Sequence, residues 1–301
     1  MFSFISYRLI GIWVQIRDIF LYFFRHAIIL NGYVDDHTWR GIRHRNWGDD
    51  LNYYFLKELT GRPIVFYHNF KFAKLLKLKN YLCIGTLLDA VNYSNAETIV
   101  WGSGVSGEER TFIHPESIKA VRGVKTKEFC DRYKVECPNI FGDPALLLPK
   151  IYIPSVKKKY RLGIIPHVID QRHHLIQEIS KKQSDEILII DLAHYKKWTD
   201  VIDQVNSCER ILSSSLHGLI VSDAYQVPNC WIELSGNISG GYFKFHDYAS
   251  SVGRDFVNPI RLNNVENLFS LKYEVTSQQR ISELQKNLID SCPLPIDNKW
   301  L

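Results

Sequence analysis

Short apolar runs closed by Gly or Pro recur along the chain and predict buried strands. In the first half they are Ala27–Val34, Ile64–Tyr67, Tyr81–Gly85, Thr98–Gly102 and Ser117–Val121. In the second half they are Arg161–His167, Glu186–Leu192, Arg210–Ser214 and Asn229–Leu234. Between them, apolar residues at helical spacing predict helices over Asn46–Leu59, Gly123–Tyr133, His174–Lys181, Tyr195–Ser207 and Leu216–Tyr225. Gly61 and Pro63 stop the first of these, and Val227-Pro228 stops the last. Asn139–Pro149 reads as a last strand and loop of the first half. Gly240–Gly253 reads as an aromatic loop, and Glu274–Ile289 as a polar terminal helix. Strands alternating with helices in two blocks predict an α/β fold of two parallel-sheet domains with a cleft between them. Residues 27–150 form the first domain and 158–301 the second. Lys150–Tyr160, with Pro154 and three successive lysines, joins them. No internal repeat is visible.

Residues 1–26 follow a different pattern. The stretch to Leu30 is strongly apolar, but Arg8, Arg17, Asp18, Arg25 and His26 interrupt it. No uncharged run approaches the roughly 18–20 residues that a spanning helix needs. Aromatics and cations in this arrangement predict an amphipathic helix, lying on a membrane or packed on the domain or a second subunit.

Composition adds three limits. At 301 residues, 46% apolar and 23% charged, the chain is an ordinary globular one. Its formal charge of +5 suits anionic ligands or an anionic membrane surface, and is too weak and dispersed to argue for nucleic acid. The six cysteines form no CxxC pair or zinc spacing, which leads us to expect reduced thiols and a cytoplasmic protein, peripheral on the inner face of the membrane if the first helix docks there. There is no P-loop, no GxGxxG after a strand and no GxSxG elbow. No carboxylates are paired at metal-ligand spacing, so no metal is expected.

Candidate chemistry gathers where predicted strands end, the place where parallel sheets bind ligands. His217 lies in the first turn of a helix after such a strand, where open N–H groups and the positive helix end meet. It reads either as a proton donor beside an anion cradle or as a capping or core-packing His. Asn46 and Asp49 sit at another junction, with Gly48 permitting close backbone approach. Asp49 or Asp50 can cap that helix, or Asp49 can orient or deprotonate a hydroxyl. Arg122 and Lys125 flank a third helix start, where cations are unfavourable unless an anion is expected; a plain surface Arg is the alternative. His167 ends a strand and can meet a phosphate or form an interdomain hydrogen bond. Asp143 reads as a turn residue holding loop amides. His37, His44, His173 and His174 lie in polar loops and carry no assignment, and the Gly85 and Gly102–Gly104 turns read as ordinary ones.

In order, NWGDDLN (46–52), GTLL (85–88), VWGSGV (100–105), VRGVKT (121–126), GDPALLLP (142–149), GIIPH (163–167), SSLHGLIVSDAYQVP (214–228) and KFHDY (244–248) resemble the polysaccharide pyruvyl transferase family. The resemblance runs from about residue 30 to 250. It implies two Rossmann-like domains facing each other as in GT-B glycosyltransferases. It also implies phosphoenolpyruvate as donor co-substrate, without a cofactor. A saccharide acceptor, lipid-linked by expectation, would take up a cyclic pyruvyl ketal as phosphate leaves. His217 matches the His of an R-x-H motif, read as the acid that protonates the donor's methylene carbon. Asp49 would assist the attacking hydroxyl, and Asn46 and Asp50 would lie on the acceptor side. Arg122 matches a donor-anion ligand. The motif's Arg is replaced here by Ser215, so Arg122, Lys125, His167 or Lys244 must supply the missing charge. A nucleotide-sugar glycosyltransferase of similar architecture, or a non-catalytic subunit of a polysaccharide assembly complex, are the other readings.

Overall fold

A computed structural model describes the whole chain except residues 1, 35–41, 43–45, 91–94, 108–112, 183–184, 239–240, 256–257 and 301, and the side chains of 2–10. His37, His44 and Gly240 therefore lie outside the described residues.

The first half opens with helix α1 (Phe2–Arg25), β1 (Ile28–Leu30), α2 (Trp47–Thr60), β2 (Ile64–Phe66) and α3 (Lys71–Leu75). β3 (Asn80–Leu82), β4 (Thr98–Trp101), β5 (Ser117–Ala120), α4 (Val124–Arg132) and α5 (Leu148–Ile151) complete it. The second half runs β6 (Leu162–Ile165), α6 (His174–Lys181), β7 (Ile187–Ile189), α7 (Trp198–Asn206) and β8 (Ile211–Ser213). It continues with α8 (Leu216–Ala224), β9 (Asn229–Glu233), α9 (Phe243–Val252), β10 (Ile260–Arg261) and α10 (Gln278–Asp290).

Two five-stranded sheets result, ordered β2-β1-β3-β4-β5 and β10-β9-β8-β6-β7. Every strand pair is parallel. Read from its other edge, the second sheet repeats the strand order of the first, although the sequence shows no repeat. In such a doubly wound sheet the winding reverses between β1 and β3, and again between β6 and β8. The central strands are buried along their whole length, which is why they read as unbroken apolar runs.

Three expectations are corrected. Asn139–Pro149 contributes only a bridge between Val121 and Phe141, followed by a 3-10 turn, Pro144–Leu147, and α5. Pro144 opens that turn and Asp143 caps it, accepting from the Ala145 N–H at 2.9 Å, the structural role foreseen for it. Glu186–Leu192 forms a shorter strand, half-buried because β7 is an edge. Most of the Gly-flanked aromatic loop is helix α9: Phe245, Tyr248, Ala249 and Val252 are its buried stripe, and Gly253 ends it at φ 71°.

The halves share one apolar cluster, in which Trp47, Trp101 and Leu146 meet Ile165, Leu216 and Leu288. Trp47 donates from its backbone N–H to Leu192 O and from Nε1 to Trp198 O. α10 packs on the first half: Trp101 Nε1 donates to Leu288 O at 3.0 Å and Gln285 Nε2 to Leu146 O at 2.8 Å. Beyond α10, Trp300 Nε1 donates to Glu58 O. Trp101→Ala removes both the fully buried indole and the bond to α10. Urea unfolding is expected to show a loss of about 3–5 kcal/mol.

Candidate active site

The N-terminus of α2 is capped by Asn46, not by Asp49 or Asp50 as the sequence suggests. Asn46 has extended backbone; its Oδ1 accepts from the Gly48 N–H at 3.3 Å, and its Nδ2 donates to Asp49 Oδ2 at 2.6 Å. Both aspartates fall in the first turn, where a negative charge meets the positive helix end. Asp50 is 1% exposed and accepts the Tyr195 hydroxyl at 2.6 Å, so it serves the junction between the halves rather than a ligand. Asp49 is pushed up to about 7 by burial and by Asp50, against the opposing pull of Asn46 and Lys244.

Facing it is the start of α8. Ser213 Oγ accepts from the Ser215 N–H at 3.0 Å, folding the turn between β8 and α8. Ser215 occupies the cap position, yet its hydroxyl makes no capping bond, so the first turn of α8 has no side-chain cap. Gly218 is required here, since a Cβ would lie 2.2 Å from Ser213 Oγ. The His217 ring lies against the backbone of Gly48: a Cβ on residue 48 would stand 1.9 Å from Nδ1. That is the close approach anticipated for this glycine, and it joins the switch-point loops of the two sheets. His217 Nε2 is buried without a hydrogen-bond partner among the described residues.

Positive charge surrounds that ring. Burial first, then Lys244, Arg122 and His167, hold His217 down to about 3. Without a ligand the ring is neutral at physiological pH. His167 is held down to about 4 by burial and Lys244, with Asp170 opposing. Lys244 falls to about 8 through burial and Arg122, with Asp49 opposing. His167 is fixed after β6 by its N–H, which donates to Ser214 Oγ at 2.9 Å; that hydroxyl in turn donates to buried Asp170. His173 and His174 stack on each other elsewhere, with centroids 4.3 Å apart.

Arg122 is not a surface residue. It is fully buried, and three of its five N–H groups are engaged by Asp247 Oδ2, Thr86 Oγ1 and Val105 O. Glycine at 104 makes room for the guanidinium, since a Cβ there would lie 2.4 Å from Cζ. Asp247 also accepts from the Thr126 N–H at 2.8 Å and the Thr126 hydroxyl at 2.7 Å. The anion expected at the start of α4 is thus this carboxylate, brought from α9. Sequence reasoning missed Asp247; the available signal was its place three residues after Lys244, on the same face of one helix. Arg122 therefore acts on His217 and Lys244 through its field, while Lys125, half-buried in the first turn of α4, has no hydrogen bond or ion pair among the described residues.

The family model described as polysaccharide pyruvyl transferase matches residues 12–236, which include both switch-point loops and stop short of α9. The succinoglycan biosynthesis protein ExoV of Rhizobium meliloti is 26% identical over 218 residues, 70% of this chain. The match spans 63% of that protein, just under two thirds of its length. An uncharacterized protein of Acanthamoeba polyphaga mimivirus is 26% identical over 219 residues, 67% of this chain and 74% of its own. No solved structure matches significantly.

Lys244 is the common partner in this electrostatic set. Replacing it by Met removes a cation that lowers His217, His167 and Asp49 alike. All three titration midpoints are expected to move upward in an NMR pH series. A downward or absent shift at His217 would show that Lys244 does not face the ring.

Proposed function

Because the chain belongs to the polysaccharide pyruvyl transferase family, we propose that it moves the pyruvyl group of phosphoenolpyruvate onto two hydroxyls of one sugar in an exopolysaccharide or capsule repeat. The product is a cyclic ketal and the leaving group is phosphate. The observation that carries this reading is the cluster of His217, His167 and Lys244, each held below its usual range by burial and by repulsion from its neighbours, beside the Asp247-paired Arg122. A ligand with a phosphate and a carboxylate relieves that repulsion, and the uncapped first turn of α8 offers it N–H donors. Lys244, His167 and the α8 N-terminus thereby supply what Ser215 lacks as a replacement for Arg.

The chemistry needs one proton delivered to carbon and two removed from oxygen. Protonation of the methylene carbon leaves an oxocarbenium-like centre at the neighbouring carbon. One sugar hydroxyl attacks it and loses its proton. The C–O bond to phosphate then breaks, and the second hydroxyl closes the ring and loses its proton in turn. Asp49, with its midpoint near 7, is suited to receive a hydroxyl proton. His217 is the acid: burial first, then its neighbours, keep the free ring neutral, and the donor's negative charges would favour its protonated form. Proton delivery is thereby tied to donor occupancy. The phosphate departs against Lys244 and backbone N–H groups and takes up the proton left over, so one hydroxyl proton replaces that given to carbon and the other leaves on phosphate.

Mass analysis of an acceptor glycan incubated with phosphoenolpyruvate and the protein is expected to show the ketal increment, with one phosphate released per ketal. His217→Ala should lower turnover by roughly 10²-fold or more while the unfolding midpoint is kept. Release of a nucleoside diphosphate from a nucleotide sugar instead would overturn the reading.

The pH profile of kcat at saturating donor, where the bound anion keeps His217 protonated, tests the other two roles separately. Asp49 must be deprotonated to accept a proton, so activity rises as pH passes about 7. Lys244 must be protonated to hold the anion, so activity falls as pH passes about 8. Asp49→Asn should abolish the acidic limb and Lys244→Arg should carry the alkaline limb upward. Limbs unmoved by both variants would remove these assignments.

A further inference from the structure

Helix α1 is apolar on both faces: Val14 is buried, and Ile19, Leu21 and Tyr22 pack against the first sheet's outer cluster. The face turned to the body carries polar groups among its packed residues: Gln15 donates to Asn69 O and accepts from the Lys71 N–H at 2.9 Å, and Asp18 is 1% exposed beneath Arg17. The face turned away carries Ile12, Trp13, Ile16, Phe20, Phe23 and Phe24, each between 48% and 69% exposed. Their spacing makes a single stripe along the helix. α3 extends it sideways: Phe23 meets Phe72 at 6.1 Å between centroids, and Leu75 and Leu76 beside it are 76% and 48% exposed. A continuous apolar face of this kind marks an interaction surface.

Charge identifies the occupant. Arg25, His26, Lys71, Lys74 and Lys77 are exposed around the stripe, and Arg17 lies over the Trp13 ring. Residues 11–26 and 68–79 together hold one carboxylate, Asp18, which is buried. A second copy of this chain would bring two such basic borders against each other. A bilayer carrying anionic lipid takes up the aromatic stripe and attracts the cations. No described helix is long and apolar enough to cross a membrane, so α1 would lie in the interface plane. We infer that the α1–α3 face docks the protein on an anionic membrane surface.

Vesicle co-sedimentation of the full chain tests this, comparing phosphatidylcholine alone with phosphatidylcholine containing phosphatidylglycerol. The protein is expected to bind the anionic vesicles, and less so in high salt. Phe20→Ser with Phe24→Ser should weaken that binding by roughly tenfold or more. Lys71→Glu with Lys74→Glu should weaken it by roughly tenfold, on anionic vesicles only. Both variants should keep the unfolding midpoint and turnover on a soluble acceptor. Absence of binding to the anionic vesicles, or binding unchanged in the Phe20/Phe24 variant, overturns the proposal. So does a dimer that the Phe20/Phe24 variant splits without any vesicle binding, which would assign the face to a second copy.

Discussion

The carboxylate of Asp247 is the constraint on which the rest of the structure depends. It arrives from α9 in the second half and ends in the first, where it completes the N-terminus of α4 and neutralises Arg122. Neither partner has solvent to fall back on, since both side chains are 0% exposed. Charges buried in this way are tolerated only when paired and fully hydrogen-bonded. The requirement reaches the backbone as well. Residue 123 is glycine because a Cβ would stand 1.8 Å from the Asp247 carbonyl oxygen. The pair therefore holds α4 and α9 at one distance, and with them Lys244, one turn before Asp247 on α9.

From that fixed frame the electrostatics of the site follow. His217, His167 and Lys244 stand close enough to oppose one another's charge, in surroundings too dry to screen it. Most buried charges are matched where they stand, as Asp223 is by Arg254, Asn229 and Tyr248. The site cluster is not matched in this way. Asp49, at half strength near neutral pH, and Asp170 beside His167 oppose it only in part, while Asp247 is taken up by Arg122. An excess of buried positive charge is a cost to the folded state, and polyanion binding recovers it.

Much of this arrangement was legible in the sequence. Apolar runs closing on Gly or Pro located the central strands, because parallel strands covered on both faces leave no alternation to interpret. His217, Asp49 and His167 stood out because each follows a strand end. What failed depended on long-range contact. Arg122 reads in the sequence as a ligand for a donor anion, and the carboxylate it pairs with is hidden because it lies 125 residues away. α9 looked like a loop because its flanking glycines outweighed a four-residue buried stripe. Asn46 was passed over as a cap in favour of two aspartates that sit one turn further in. The neutrality of His217 comes from burial and from Lys244, Arg122 and His167 on separate elements, none of which a linear pattern records.

The packing of α10 and Trp300 on the first half has a temporal consequence. Trp101 and Leu146 belong to the first sheet's surroundings, yet the groups that complete their environment come from residues 285 and 288. A ribosome would have to deliver nearly the whole polypeptide before the amino-terminal sheet could bury its indole and close its hydrogen bonds. Until those residues emerge, the indole of Trp101 and the carbonyl of Leu146 lack the partners they have in the folded chain.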